Sequence, residues 1–185
     1  DIRLKGDRLA HFNDKNKSSY KIQLNNNETI FGMNKLSLMK PRMRNYIHEW
    51  LYHEIMHEGG LITIKYKFIN LKINGENKGL YVVEEGFDKI LVERNKKRNG
   101  PIFSLKEEWT MGLEKNNKPL IFEVYNKSYW LSDKNIEITN RTAGKLHEVF
   151  NKNSNLSQLF DEKKWAWFLA ASDINFYAHG THIKS

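Results

Sequence analysis

The segment WLYHEIMHEGG, Trp50 to Gly60, carries the side chains of a zinc hydrolase. His53, Glu54 and His57 satisfy H-E-x-x-H, and Gly60 satisfies the longer H-E-x-x-H-x-x-G. On a helix, two histidines one turn apart share a metal and the glutamate between them acts as general base. A catalytic zinc takes a third protein ligand. The extended motif would put a histidine at position 63, where the chain has Thr63. The other common solution, a glutamate on a later helix, points to Glu93, which has no ligand motif around it. A helical projection places Glu54 and His57 on the apolar side with Ile47 and Trp50, and His53 at its edge, as satisfied polar groups beside a core. A chain with 7 histidines also makes such a short match by chance. A zinc metallopeptidase is therefore the lesser reading, and the helix is expected to serve another purpose.

The elements that would position these residues follow from hydrophobic periodicity. DIRLKG and SSYKIQL read as strands, the second turning Tyr20, Ile22 and Leu24 inward. IFGMNKLSLMK reads as a third strand stopped by Pro41. Residues 42–58 read as one helix with Met43, Tyr46, Ile47, Trp50, Leu51 and Ile55 on its apolar face, closed by Gly59–Gly60. LITIKYKFINLKING alternates at Tyr66, Phe68 and Asn70, and the Asn-Gly turn returns it as LYVVEE, a hairpin. FDKILVERNKKR is a short helix with a basic end, and PIFSL another strand. Residues 106–140 read as an irregular insertion. RTAGKLHEVFNK and EKKWAWFLAASDINFY are helices, the second expected to be heavily buried by its aromatic content. Strands come first and helices second, which is an α+β order.

Composition agrees with a folded chain. Of 185 residues, 39% are apolar and 12% aromatic, enough for one domain with its own core. The net charge of +8 points to a polyanionic partner, against the plainer reading of a merely soluble Lys- and Asn-rich chain. There is no cysteine, so disulfides and thiolate metal sites are excluded. No stretch reaches the length of a transmembrane span, no signal peptide is visible, and no nucleic-acid-binding motif accompanies the charge. Both ends read as cut, DIRLKGD without an initiator methionine and THIKS directly after an aromatic helix, so a fragment is expected, with localisation open.

The ordered succession RLKGD, KNKSSYKIQL, KPRMRNYIHEWLYHEI and FINLKINGENKGLYVVEEGFDKILVERN resembles the CotH family, the spore-coat-type atypical protein kinases of bacteria. The likeness runs from about Ile2 to Phe103 and resumes at Trp165–Tyr177. It implies an atypical protein-kinase-like α+β fold in a single incomplete domain over 1–185, a strand-rich N-terminal lobe over about 1–85 and the start of a helical C-terminal lobe over about 86–185. It also implies ATP and Mg²⁺ as cofactors, and a nucleotide and a protein substrate as partners. Phosphoryl transfer places a cation on the phosphates, an acid to orient that cation and an aspartate at the attacking hydroxyl. The resemblance assigns the cation to Lys17, with Arg3 and Lys5 assisting from the neighbouring strand. The orienting acid is Glu49 or Glu54 of the 42–58 helix: helical phase favours Glu54, the R-N-Y-x-x-E run favours Glu49. Glu84 or Glu85, in the segment that joins the lobes, would face the nucleotide. Asp173, after WAWFLAAS, matches the catalytic aspartate.

The chain departs from the family pattern in two places. An asparagine is expected about five residues after the catalytic aspartate, but position 178 is Ala178, and Asn175 is only two away; His179 and His182 lie nearby. The metal-binding D-x-D-like segment does not occur before Ser185. A phosphotransferase acting on a protein hydroxyl and a non-catalytic interaction protein of the same fold are the readings that remain, with the metallopeptidase behind them.

Overall fold

The computed structural model describes residues 1–5, 18–25, 28–105, 122–150, 157 and 159–175. They form a mixed α+β arrangement, a sheet at the N-terminal side and helices at the C-terminal side. The chain divides into two compact units, Asp1–Arg98 and Asn99–Ser185.

The first unit is built on an antiparallel five-stranded sheet in the order β1-β2-β3-β5-β4. The strands are β1 (Ile2–Leu4), β2 (Tyr20–Gln23), β3 (Lys35–Met39), β4 (Tyr66–Ile73) and β5 (Glu76–Glu85). One face is apolar: Met33, Leu36, Leu38, Tyr81 and Val83 are buried there, with Tyr20, Ile22, Ile69 and Leu71 packed against them. The inward Tyr20 and Ile22 are those the alternation predicts. In β4 the half-buried set is Ile69, Leu71 and Ile73 rather than Phe68 and Asn70, which are exposed. The buried Tyr66 belongs to the other face.

The β4–β5 hairpin closes as its sequence demands. Ile73 pairs with Glu76, which leaves Asn74 and Gly75 as a two-residue loop with φ of 51° and 83°. These are the left-handed conformations of a type I′ turn, whose twist matches that of the strands it joins.

The expected helix over 42–58 is two pieces. A 3-10 turn, Pro41–Arg44, precedes α1 (His48–Glu58). Asn45 and Tyr46 between them take left-handed conformations, φ 50° and 58°. That break defeats the projection drawn for one continuous helix. Tyr46, Ile47 and Leu51 are exposed, and Glu49, Tyr52 and Met56 turn inward. α2 (Lys89–Arg94) follows β5, capped by Asp88, whose carboxylate accepts from the Leu91 amide at 3.0 Å.

In the second unit β6 (Phe103–Leu105) pairs with β7 (Phe122–Val124). α3 (Lys127–Trp130), α4 (Ile136–Phe150) and α5 (Glu162–Ile174) follow. The stretch expected to be irregular thus holds a strand, a short helix and the first turn of α4. Thr139 anchors α4 by donating its hydroxyl to the Trp130 carbonyl at 2.8 Å. α5 is not buried as its composition suggests. Trp165 stacks on Phe160 and Phe168, centroids 4.9 and 5.3 Å apart, while Trp167 and Ile174 are 45% and 73% exposed. Aromatic content predicted burial; mutual stacking along one side meets that demand with only part of the helix surface. No helix of the described residues is long and apolar enough to cross a membrane.

Candidate functional site

Strand register aligns one residue from every strand of the sheet. Arg3 opposes Lys21, Lys21 opposes Ser37, Ser37 opposes Glu84 and Glu84 opposes Tyr66. Directly opposed residues leave a sheet on the same side. Arg3, Lys21, Ser37, Glu84 and Tyr66 therefore form one polar row across the face opposite the apolar core. Lys5 and Lys35, each two residues from a member of the row, share that side by alternation. The 3-10 turn after β3 brings Arg44 to it, and Arg44 Nε donates to Glu84 Oε2 at 3.0 Å.

The row carries more positive than negative charge. Glu84 is its carboxylate, and Lys5 Nζ donates to Oε1 at 2.9 Å opposite Arg44. Among the described residues no carboxylate forms an ion pair with Arg3, Lys21 or Lys35. Lys21 feels the imbalance. Desolvation of its ammonium, and then repulsion from Arg3, Lys5 and Lys35, hold its pKa below the usual lysine value, with Glu84 opposing. The like-charge repulsion within that shift is what an anion beside the row would relieve.

α1 borders this face through His53, whose ring centroid lies 6.2 Å from that of Tyr66. Glu49 is the inward acid of the helix, and its Oε1 lies 3.4 Å from His53 Nε2 one turn on. Glu54 is exposed and so is His57, the reverse of the phase argument. The H-E-x-x-H residues thus diverge, His53 turned inward toward Glu49 and His57 outward. Among the described residues no group of three His, Asp or Glu side chains comes together to hold a metal ion. The Tyr66 hydroxyl is buried without a hydrogen-bond partner. Burial above all, and then the nearby charges of Glu49 and Glu84, raise its pKa, with Arg44 opposing.

Glu85 belongs to neither group. It follows Glu84 in an extended strand and leaves on the apolar side, where it is buried against Arg94 of α2. Its Oε2 also accepts from the Lys65 amide at 2.7 Å, and Arg94 donates to the Thr63 carbonyl at 2.9 Å. This is a structural tie between the end of β5 and α2. Asp173 lies on the last turn of α5 and is exposed; Asn175 behind it is buried and donates to the Ala171 carbonyl at 2.8 Å. Lys17, His179 and His182 lie outside the described residues.

Of the residues that sequence reasoning selected, the fold brings Arg3, Lys5 and Glu84 to one face, with Glu49 bordering it. It sends Glu85 to the other face. Lys21, Lys35, Arg44 and Tyr66 were not among them. Alternation within KSSYKIQL already separates Lys21 from Tyr20 and Ile22, but its place beside Arg3 depends on the β1–β2 register. Arg44 arrives through the 3-10 turn Pro41–Arg44, which leaves no periodic signal.

A family model described as CotH kinase protein matches residues 2–174. No curated protein matches the chain. The chain belongs to the CotH kinase family.

Proposed function

We propose that this member of the CotH kinase family is a phosphotransferase that takes ATP on the basic face of its N-terminal sheet and passes a phosphoryl group to a hydroxyl of a protein acceptor. The observation that supports this most is the row from Arg3 to Tyr66, with cations in excess on one face of the sheet. Phosphoryl transfer asks a protein chiefly for positioning and for neutralisation of charge on the phosphate oxygens. Arg3 and Lys21 meet that demand, with no described carboxylate in contact, and Lys35 extends the same side. Lys17, beyond the described residues, is proposed to join them. Glu49 is the acid of α1 proposed to orient a cation of the row, and Asp173 the carboxylate proposed to orient the acceptor hydroxyl.

ATP suits these residues, because the row's own electrostatics call for a polyanion. Mg²⁺ supplies charge neutralisation in such chemistry, but the described residues offer no ligand set for it. The roles above therefore stand on side chains alone.

Thermal unfolding with and without ATP and Mg²⁺ tests the reading, since a ligand that binds only the folded chain raises its Tm. The nucleotide is expected to raise it, and Lys21→Ala and Arg3→Ala to remove most of the rise while leaving the free protein about as stable as before, because both residues are exposed. Asp173→Asn is expected to keep the rise and lose transfer to an acceptor hydroxyl. A nucleotide shift untouched by Lys21→Ala and Arg3→Ala would displace the site from this face. Transfer that survives Asp173→Asn would leave Asp173 an ordinary helix-end residue.

A further inference from the structure

Glu84 is held the way a bound anion would be. Each carboxylate oxygen takes one cation, Oε1 from Lys5 Nζ at 2.9 Å and Oε2 from Arg44 Nε at 3.0 Å. The three residues come from β5, the residue after β1 and the 3-10 turn, so tertiary structure alone assembles the clamp. Lysine and arginine converging on two oxygens of one acid is also how proteins take a phosphate.

Two roles compete for such a carboxylate. As a structural tie it would be sealed from solvent. Glu85 has that character, with its side chain 1% exposed, Arg94 on one side and the Lys65 amide on the same oxygen. Glu84 differs. Its partners Lys5 and Arg44 keep 23% and 32% of their side-chain surfaces in contact with solvent. A solute anion can reach both cations while the strand and the 3-10 turn stay in place. Arg3, Lys21 and Lys35, on the same face, supply the field that would draw it there.

We propose that Glu84 is an internal anion occupying the Lys5–Arg44 clamp, and that phosphate oxygens enter the clamp by displacing it. This rests on reading the basic face as the phosphate side. Glu84 then sets the selectivity of the face. An entering anion must outbid a carboxylate that is already in place, and once displaced that carboxylate repels it. Weak or singly charged anions lose the exchange, and polyphosphates, which engage Arg3 and Lys21 at the same time, win it. The device is a repulsive element built into an attractive site, which is how discrimination is commonly achieved.

Calorimetric titration with inorganic tripolyphosphate tests this, using the wild-type chain, Glu84→Gln, Glu84→Asp and Glu76→Gln. Glu84→Gln removes the resident charge at nearly constant shape and is expected to tighten binding by about tenfold or more, with a steeper dependence on salt because both clamp cations become available. Glu84→Asp keeps the charge but draws it back by one methylene, and is expected to fall between wild type and Glu84→Gln; it carries the test if the amide variant fails to fold. Glu76→Gln changes net charge equally at the exposed end of the hairpin and is expected to change nothing. Binding that is unchanged or weaker in Glu84→Gln and Glu84→Asp overturns the proposal, as does equal tightening by Glu76→Gln. A wild-type response to ATP with Mg²⁺, alongside no gain in the Glu84 variants, would sink this proposal and spare the nucleotide reading. Gain in the Glu84 variants with ATP bound no better than tripolyphosphate would do the opposite. No binding of either by any variant overturns both.

Discussion

Glu84 and Glu85 are consecutive on β5, and each is held by cations on its own side of the sheet: Lys5 and Arg44 for Glu84, Arg94 for Glu85. Burial makes the two unequal. Removing one partner of a buried pair strands the other and costs about 3–5 kcal/mol, whereas pairs with solvent-reachable partners contribute about 0–1 kcal/mol. Glu85→Ala is expected near the first range and Glu84→Gln near the second, in urea unfolding followed by circular dichroism. An equal loss in the two variants would show that both carboxylates are structural.

Gly86 allows the chain to leave the sheet. A Cβ at this position would lie 2.7 Å from Lys35 Cβ, an atom too close to the backbone to swing away. The Gly86 amide also donates to the Lys35 carbonyl at 2.8 Å, so neither strand has room to part. Gly86→Ala is expected to destabilise by about 1–3 kcal/mol, the usual cost of overpacking. A variant as stable as wild type would mean that β3 and the end of β5 yield more freely than this contact allows.

Tyr66 makes stability depend on alkaline pH. Its pKa is raised in the fold above the ordinary value of 10.0. Below that value both folded and unfolded chains keep the proton, and there is no dependence. Above it the unfolded chain releases the proton while the folded chain retains it, so stability falls as pH rises, by up to about 1.4 kcal/mol per pH unit. Lys21 acts oppositely: its lowered pKa means that its repulsion is relieved as pH climbs toward 10.5. Comparing Tyr66→Phe with wild type isolates the tyrosine. The variant is expected to lack that alkaline loss, and at pH 7 to be as stable or slightly more so, because it removes a buried hydroxyl that has no partner. Parallel pH profiles for the two proteins would count against the burial of this hydroxyl.

His57 and Glu54 point to solvent, and His53 toward Glu49. Exposed substitutions away from caps and ion pairs change stability by less than about 0.5 kcal/mol. Glu54→Ala and His57→Ala are expected within that margin, and the purified protein to carry no stoichiometric zinc by elemental analysis. One zinc per chain, lost in a His53→Ala/His57→Ala double variant, would restore the metallopeptidase reading.

Local elements with strong chemistry were legible without the fold. The Asn74–Gly75 turn, the stop at Pro41 and the α+β order each follow from backbone preferences of a few residues. Tyr20 and Ile22 could be placed inward because period-2 alternation needs no partner strand. The α1 phase was misjudged because it was projected through Asn45 and Tyr46. Asn45 is a residue type that tolerates the left-handed region, but Tyr46 is not, and neither is the glycine that most often marks such a break. The expected burial of α5 failed for a related reason: aromatic content measures the demand for contact, and Phe160, Trp165 and Phe168 satisfy part of it on one another.

What the sequence determined by itself is therefore the inventory: family-ordered segments, an excess of positive charge, strands that present Arg3, Lys21 and Glu84 opposite their apolar neighbours. Which of these meet is a property of register. Strand pairing is set by backbone hydrogen bonds between segments distant along the chain, and a slip of one residue would move Lys21 or Glu84 to the apolar side. Only the pairing of Lys21 with Arg3 and Ser37, and of Glu84 with Tyr66, turns scattered charges into a row. The same pairing separates Glu84 from Glu85, because successive residues of an extended strand must face opposite ways.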